Sequence, residues 1–401
     1  MKTYAKLTPE GTRDLLFEES DALRTVERQL ADLFKSRGYR KIITPTVEFF
    51  DVFNRESAGT LPESLYTMTD AYGRLLVLRP DSTLPIARVA ATRLRGARLP
   101  LRLYYNQNVF ARRPKLAGYS DETTQSGIEL LGAGGLRADL EALTLAMRVM
   151  EQCGTPDYKL EIGHAGYFQS LCEALDTSPQ TVSEIYACVE SKNYVALDTV
   201  LDALGDTPAV RAIRELPRMF GDARVLEKAA QALQMQAGET HAALSYLADV
   251  YTRLEKAGLS EHVTIDLSLV HRTNYYTGLM FRGYISGSGE TVLSGGRYDR
   301  LIAEFGEDLP AVGFGVQTDL LARAKLRRGE TASPLTPAAL VFGENGFETN
   351  ALDLQARLLN EGVLCENSLA PTQETAVEYA RQCGIPTVYI LDETGVREVH
   401  V

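Results

Sequence analysis

Gly132-Ala133-Gly134-Gly135 stands between an expected strand and an expected helix, a place where the N–H groups of a glycine-rich turn can cradle a pyrophosphate. The third glycine of the dinucleotide fingerprint is missing, and no G-K-[ST] phosphate loop occurs in the chain, so a plain turn is the reading taken. Cys153, Cys172, Cys188, Cys365 and Cys383 are odd in number and form no C-x-x-C pair. That pattern points away from structural zinc or a disulfide framework and toward buried or inert thiols. No metal and no cofactor are expected.

Chemistry is concentrated instead in five segments. They are Thr8-Pro9-Glu10-Gly11-Thr12-Arg13-Asp14, Leu78-Arg79-Pro80-Asp81-Ser82-Thr83, Asn108-Val109-Phe110-Ala111-Arg112-Arg113-Pro114 running on to Thr124-Gln125-Ser126-Gly127-Ile128-Glu129, Asn274-Tyr275-Tyr276-Thr277-Gly278, and Gly295-Gly296-Arg297-Tyr298-Asp299. In this order they resemble the catalytic core of histidyl-tRNA synthetases over roughly residues 8–325. The resemblance implies a class II synthetase fold that dimerises through a first motif, here Gly38-Tyr39 and Thr44-Pro45-Thr46-Val47-Glu48. In that family an acid and a threonine take the α-ammonium group of the amino acid, a glutamine assists, and a glutamate with a tyrosine recognises the imidazole. The resemblance therefore implies a histidine site at Asp81, Thr83, Gln125, Glu129 and Tyr276, with Tyr275 beside it. An ammonium group needs anionic or carbonyl acceptors, and an imidazole N–H needs an acceptor in a dry pocket. Asp81 stands where the family has a glutamate, one methylene longer. The competing reading is that these polar groups merely satisfy one another within the sheet.

Activating an amino acid with ATP also requires fixed cations where negative charge develops. The family's arginine after the motif 2 phenylalanine is Ala111 here, and two further loop arginines match Tyr119 and Asp121. The later catalytic arginine matches His271, and the motif 3 arginine matches Leu320. Loss of one such donor can cost on the order of 100- to 1,000-fold in rate, so aminoacylation is not expected. A synthetase core with a kept amino-acid pocket and lost ATP cations resembles the regulatory subunits of ATP phosphoribosyltransferase. That resemblance implies a non-catalytic role in the first step of histidine biosynthesis, a short-form catalytic subunit as partner, and L-histidine as feedback effector. The rival enzyme reading is a divergent amino-acid activating ligase with relocated cations, for which Arg112, Arg113, Arg272 and Arg297 are the candidates. A sensor of uncharged tRNA is a third reading, disfavoured by the missing effector domain and a lysine-free tail.

The elements that must hold these residues read as α+β. Leu23, Val26, Leu30 and Leu33 predict an amphipathic helix over 20–37, ended by Gly38. Strands are predicted at Lys41–Thr44, Leu75–Leu78, Leu101–Tyr105, Ile128–Leu131, Tyr158–Ile162 and Leu293–Gly296, in a largely antiparallel sheet. A mostly helical insertion is expected within about residues 165–260 of a first domain spanning 1–330. The segment 331–337 has linker composition. After it, strand and helix alternate (strands 338–342, 363–366 and 387–391, helices 350–359 and 372–382), predicting a small α/β domain over 338–401.

At 401 residues, 45% hydrophobic and 24% charged, the chain has the composition of a globular protein of two or three domains. No apolar run reaches the roughly 18 residues of a membrane helix, and the N-terminus lacks a signal-peptide pattern. A cytoplasmic protein without a membrane partner is expected. The formal net charge is -11, and residues 338–401 hold ten acids, three Arg and no Lys. A tRNA-binding domain would need phosphate-contacting cations, so no tRNA is expected.

Overall fold

Side-chain alternation organises the central sheet of the first unit. In the computed structural model the chain is described over residues 4–55, 62–112, 120–232, 238–271, 275–330 and 336–401, and it divides into unit 1, Met1–Glu330, and unit 2, Thr331–Val401. Among the described residues of unit 1, nine strands form one sheet. In chain order they are β1 (Arg40–Lys41), β5 (Leu101–Phe110), β6 (Glu122–Leu131), β7 (Tyr158–His164), β8 (Phe220–Gly221), β9 (Val263–Asp266), β10 (Leu279–Ile285), β11 (Leu293–Arg297) and β12 (Ala311–Gln317). Their spatial order is β1-β5-β6-β12-β11-β10-β7-β9-β8. The β1–β5 and β7–β9 pairs are parallel and the other neighbours antiparallel. Strands β2 (Val47–Phe49), β3 (Tyr66–Thr69) and β4 (Leu75–Leu78) make a separate antiparallel sheet of order β2-β4-β3.

Because successive side chains point to opposite faces, the register sorts the large sheet into two surfaces. Tyr104, Ile128, Phe314, Phe281 and Ile162 follow one another across β5, β6, β12, β10 and β7 on one face. They pack into the main apolar core with helix α1 (Phe17–Ser36), which buries Leu23, Val26, Leu30 and Phe34. The other face carries the site, where helix α2 (Thr83–Ala91) packs with Tyr105, Leu131 and Tyr298 in a second core. Helix α3 (Leu136–Val149) follows β6 through the Gly132–Gly135 turn, where Gly132 and Gly135 both take positive φ. Then come α4 (Ala165–Glu173), α5 (Pro179–Glu190), α6 (Tyr194–Asp202), α7 (Pro208–Glu215), α8 (Arg224–Ala232) and α9 (Glu239–Lys256), and after β12 the helix α10 (Thr318–Arg327).

Unit 2 has strands β13 (Ala339–Gly343), β14 (Cys365–Asn367), β15 (Thr387–Asp392) and β16 (Gly395–His400), in the order β14-β13-β15-β16, with helices α11 (Glu348–Asn360) and α12 (Gln373–Cys383). Only β16 is antiparallel to its neighbour. The α+β class read from the sequence holds, with local corrections. β16 was missed because Gly395-Val396-Arg397-Glu398-Val399-His400 is mostly exposed and lacks an apolar run. The strand expected over Lys41–Thr44 shrinks to Arg40–Lys41. Thr44 instead gives its N–H to Gln107 at 2.9 Å, and Pro45 has no N–H to continue a ladder. Strands β5 and β6 run to ten residues each, since their polar halves pair with one another. Cys153, Cys172 and Cys365 are buried thiols, but Cys383 is exposed.

Candidate functional site

The site is built on three rows of paired residues. Leu103, Glu129, Gly313, Gly296 and Met280 face one another across β5, β6, β12, β11 and β10. In the next row stand Tyr105, Gly127, Gly315, Ser294 and Arg282, and beyond it Gln107, Gln125 and Gln317. The glycines are required by close approach. A Cβ on Gly313 would lie 1.9 Å from Glu129 Oε2, one on Gly127 2.5 Å from the Tyr105 hydroxyl, and one on Gly315 2.8 Å from Gln125 Nε2. Larger residues in this patch would displace the polar side chains that rise beside it.

Arg79 anchors the segment carrying Asp81. Its guanidinium donates to Asn108 O (2.8 Å), Thr44 O (2.7 Å) and Gln107 Oε1 (3.0 Å), tying β4 to β5. Asp81 Oδ1 accepts from Leu84 N at 3.0 Å, holding the first turn of α2. Burial pushes the Asp81 carboxyl up to about 6, opposed by the backbone bonds from Leu84 and Thr83. Thr83 Oγ1 donates to Glu129 Oε1 at 2.9 Å, and the Tyr298 hydroxyl donates to Glu129 Oε2. Glu129 is only 1% exposed, and desolvation lifts its pKa to about 8 despite those two bonds. Among the described residues Gln125 Oε1, which is buried, has no hydrogen-bond partner. Tyr276 is buried, with Tyr275 tilted against it (centroids 4.6 Å) and His271 edge-on (5.6 Å). Tyr275 in turn meets Tyr298 at 5.7 Å.

The fold thus brings Glu129 into direct contact with Thr83, Tyr275 with Tyr276, and Gln125 onto the same sheet face. Mutual satisfaction accounts for Thr83, Glu129 and Tyr298, but not for Gln125 Oε1, a buried acceptor that calls for a donor from elsewhere. Sequence reasoning missed Tyr298 and Tyr105 as members of the site. Tyr298 lay inside the fifth segment, and alternation along Leu103-Tyr104-Tyr105 placed Tyr105 opposite to Tyr104, but neither partner was legible without the register.

At the positions where the family resemblance implies lost cations, the chain has other bonds. Ala111 N–H donates to Asp121 O at 2.9 Å. Asp121 N–H donates to Gly11 O (2.7 Å), and its carboxylate accepts from the Tyr66 hydroxyl (2.5 Å). Leu320 is buried in the main core. His271 is held down to about 4, chiefly by burial and then by Arg282, and so is neutral near pH 7. Tyr119 lies outside the described residues, as do Arg113 and Arg272. Of the rival's cations, Arg297 is buried, bonded to Asp139 through Nη2 (2.5 Å) and Nε (2.9 Å) and to Asp299 through Nη1 (2.8 Å). Arg112 lies over the Tyr66 ring at 5.0 Å. A cleft of about 470 Å³, bounded by Thr123, His271, Arg282, Ser294, Gln317 and Arg323, opens beside these positions. Arg282 and Arg323 are cations that the sequence reading did not single out. Among the described residues no group of His, Cys, Asp and Glu could hold a metal ion, and no helix is long and apolar enough to cross a membrane.

A histidyl-tRNA synthetase family model matches residues 11–321. An ATP phosphoribosyltransferase regulatory subunit from Clostridium botulinum (strain Langeland) is 35% identical over 388 residues, 96% of this chain and 92% of its own length. One from Clostridium novyi (strain NT) is 36% identical over 396 residues, 98% of this chain and 93% of that one. A solved structure of an ATP phosphoribosyltransferase regulatory subunit/histidyl-tRNA synthetase from Bacillus halodurans superposes with a TM-score of 0.82 at 30% identity, covering 95% of this chain and 97% of that one. With the class II sheet and these relatives in agreement, the chain belongs to the family of ATP phosphoribosyltransferase regulatory subunits, which share the histidyl-tRNA synthetase fold.

Proposed function

We propose that this chain is the non-catalytic regulatory subunit of an ATP phosphoribosyltransferase, activating a separate catalytic subunit in the first step of L-histidine biosynthesis and carrying the histidine that inhibits it. The observation that carries the histidine reading is the contrast within the site. Asp81, Gln125 and Glu129 offer acceptors to an ammonium and an imidazole, and Gln125 Oε1 is buried without a partner among the described residues. On the phosphate side, Ala111, Asp121, Leu320 and a neutral His271 supply no fixed positive charge. Charge on a leaving pyrophosphate would find no stabilisation from those four positions, which supports binding without adenylation. The rival ligase is weakened by Arg297 being bound to Asp139 and Asp299.

Self-association fits the small sheet. Val47, Phe49 and Met68 share its outer face and are exposed apolar residues, next to the first synthetase-like motif. A homodimer that receives the catalytic subunit is the assembly proposed. The acidic composition of residues 338–401 supports a protein that binds no tRNA.

The test combines three measurements on the full chain. Histidine should bind by calorimetry. Labelled pyrophosphate should not exchange into ATP with histidine present. A short-form catalytic subunit should gain activity on mixing, and histidine should then lower it. A coupling of about 1–3 kcal/mol between histidine and the active assembly corresponds to roughly 5- to 150-fold in affinity. Exchange that vanishes on substituting Arg112 would establish the ligase instead.

A further inference from the structure

An amino acid brings a carboxylate as well as an ammonium group, and Asp81 and Gln125 Oε1 are acceptors that would repel it or leave it unpaired. A cation must face the same pocket. Arg282 stands in the row Gly127–Gly315–Ser294–Arg282, so its side chain leaves the sheet on the site face, adjacent to the row of Glu129 and Met280. It lines both the small cavity against Tyr276, His271 and Gly295 and the larger cleft beyond it. Its charge reaches both His271 and Tyr276.

Among the described residues Arg282 makes one hydrogen bond, from Nη2 to Val270 O at 2.6 Å, out of the five donors of a guanidinium. Arg323, the other arginine bounding the larger cleft, faces the field of Asp319 one turn earlier on α10 and keeps a buried Nε without a partner among the described residues. Glu161 lies opposite Arg282 on β7, but among the described residues no ion pair joins them. A charge in an otherwise apolar strand, Leu279-Met280-Phe281-Arg282-Gly283-Tyr284-Ile285, calls for a partner.

We propose that Arg282 anchors the α-carboxylate of the amino acid held between Tyr276 and Glu129, with the Ser294 hydroxyl beside it. This rests on the reading of the pocket as an amino-acid site. It makes the pocket select free amino acids over amides and peptides, since a guanidinium left facing a neutral group loses a charge-assisted bond.

The experiment is calorimetric titration of the full chain with L-histidine and with L-histidinamide, which keeps the ammonium and imidazole but not the carboxylate. Arg282→Gln should weaken histidine by roughly 10- to 150-fold, the worth of a hydrogen bond to a charged group, and leave histidinamide unchanged. Arg282→Lys should recover part of the loss for histidine alone. Equal weakening of both ligands would mean that Arg282 merely shapes the pocket, and no change with either would mean that it does not touch the ligand; both outcomes overturn the assignment. Glu129→Gln and Gln125→Ala separate the two levels of the argument. If they weaken histidine while Arg282→Gln does not, the carboxylate assignment alone fails. If they too leave histidine binding untouched, the pocket is not the amino-acid site.

Discussion

With both oxygens of Glu129 accepting hydroxyl bonds and the group almost wholly removed from water, its carboxyl is pushed to about 8, so it is largely protonated in the apo protein at neutral pH. Folded Glu129 therefore holds its proton more tightly than the unfolded chain does. The stabilisation is fully present below the unfolded carboxyl range and is lost as pH rises through about 8. His164 and His271, both lowered to about 4 by burial, act in the opposite sense, adding stability as pH rises to the ordinary histidine range and nothing more above it. The window that isolates Glu129 is thus about pH 6.5 to 8. Over it the wild type should lose on the order of 1–2 kcal/mol that Glu129→Gln does not lose. Denaturant unfolding of both proteins across that window checks this, and parallel curves would refute it. Asp81, pushed to about 6, should be ionised when it meets an ammonium group. Its contribution to binding therefore fades below about pH 6, and the histidine affinities of wild type and Asp81→Asn should converge there in the same titration.

At the scale of elements, the close approach of β6, β12 and β11 makes the pocket possible. Gly313→Ala would put a methyl 1.9 Å from Glu129 Oε2 and 2.4 Å from Ile128 O, and backbone cannot move aside as a side chain can. A destabilisation of about 1–3 kcal/mol is expected, together with loss of histidine binding, measured by thermal unfolding and calorimetry. A buried ion pair connects the same strands to the helical region. Arg297 on β11 holds Asp139 on α3, and Asp139 accepts from the Tyr246 hydroxyl on α9. Asp139→Ala leaves a buried guanidinium with Asp299 as its one charge partner among the described residues and should cost about 3–5 kcal/mol. Tyr246→Phe removes one hydroxyl donor and should cost about 1–3 kcal/mol. Equal losses for the two would argue that the pair, rather than the triad, matters little.

For the whole molecule, the exposed outer face of β2, β3 and β4 is the feature on which the proposed self-association rests. Replacing Phe49 by Asp puts a charge in the middle of that apolar surface. If the face joins two copies, Phe49→Asp should halve the mass by light scattering at micromolar concentration while leaving the monomer folded. An unchanged mass would place the self-contact elsewhere. Activation of a catalytic subunit should fall with dimer loss if the docking surface spans both copies, and persist if each copy docks alone.

The strongly periodic elements were legible in the chain alone. Leu75–Leu78 is β4 as read, the apolar positions of α1 are those that its 3.6-residue period places on one face, and the five helices and strands read for unit 2 stand within two residues of their predicted ends. These are local properties: a period or a turn residue acts within a few neighbours. The identity and order of the five motif segments were also local, and they sufficed to place the family. What the sequence could not say was which charges are engaged and which face the pocket. Arg297 belongs to a conspicuous motif yet is buried against Asp139, 158 residues away in the chain, whereas Arg282 sits in an unremarkable apolar strand and faces the cleft. Tyr298 and Tyr105 joined the site for the same reason. Pairing of β5, β6, β12, β11 and β10 is long-range, and only once that register is set does alternation along each strand become a shared face, so that the partner of a buried charge is decided by tertiary structure alone.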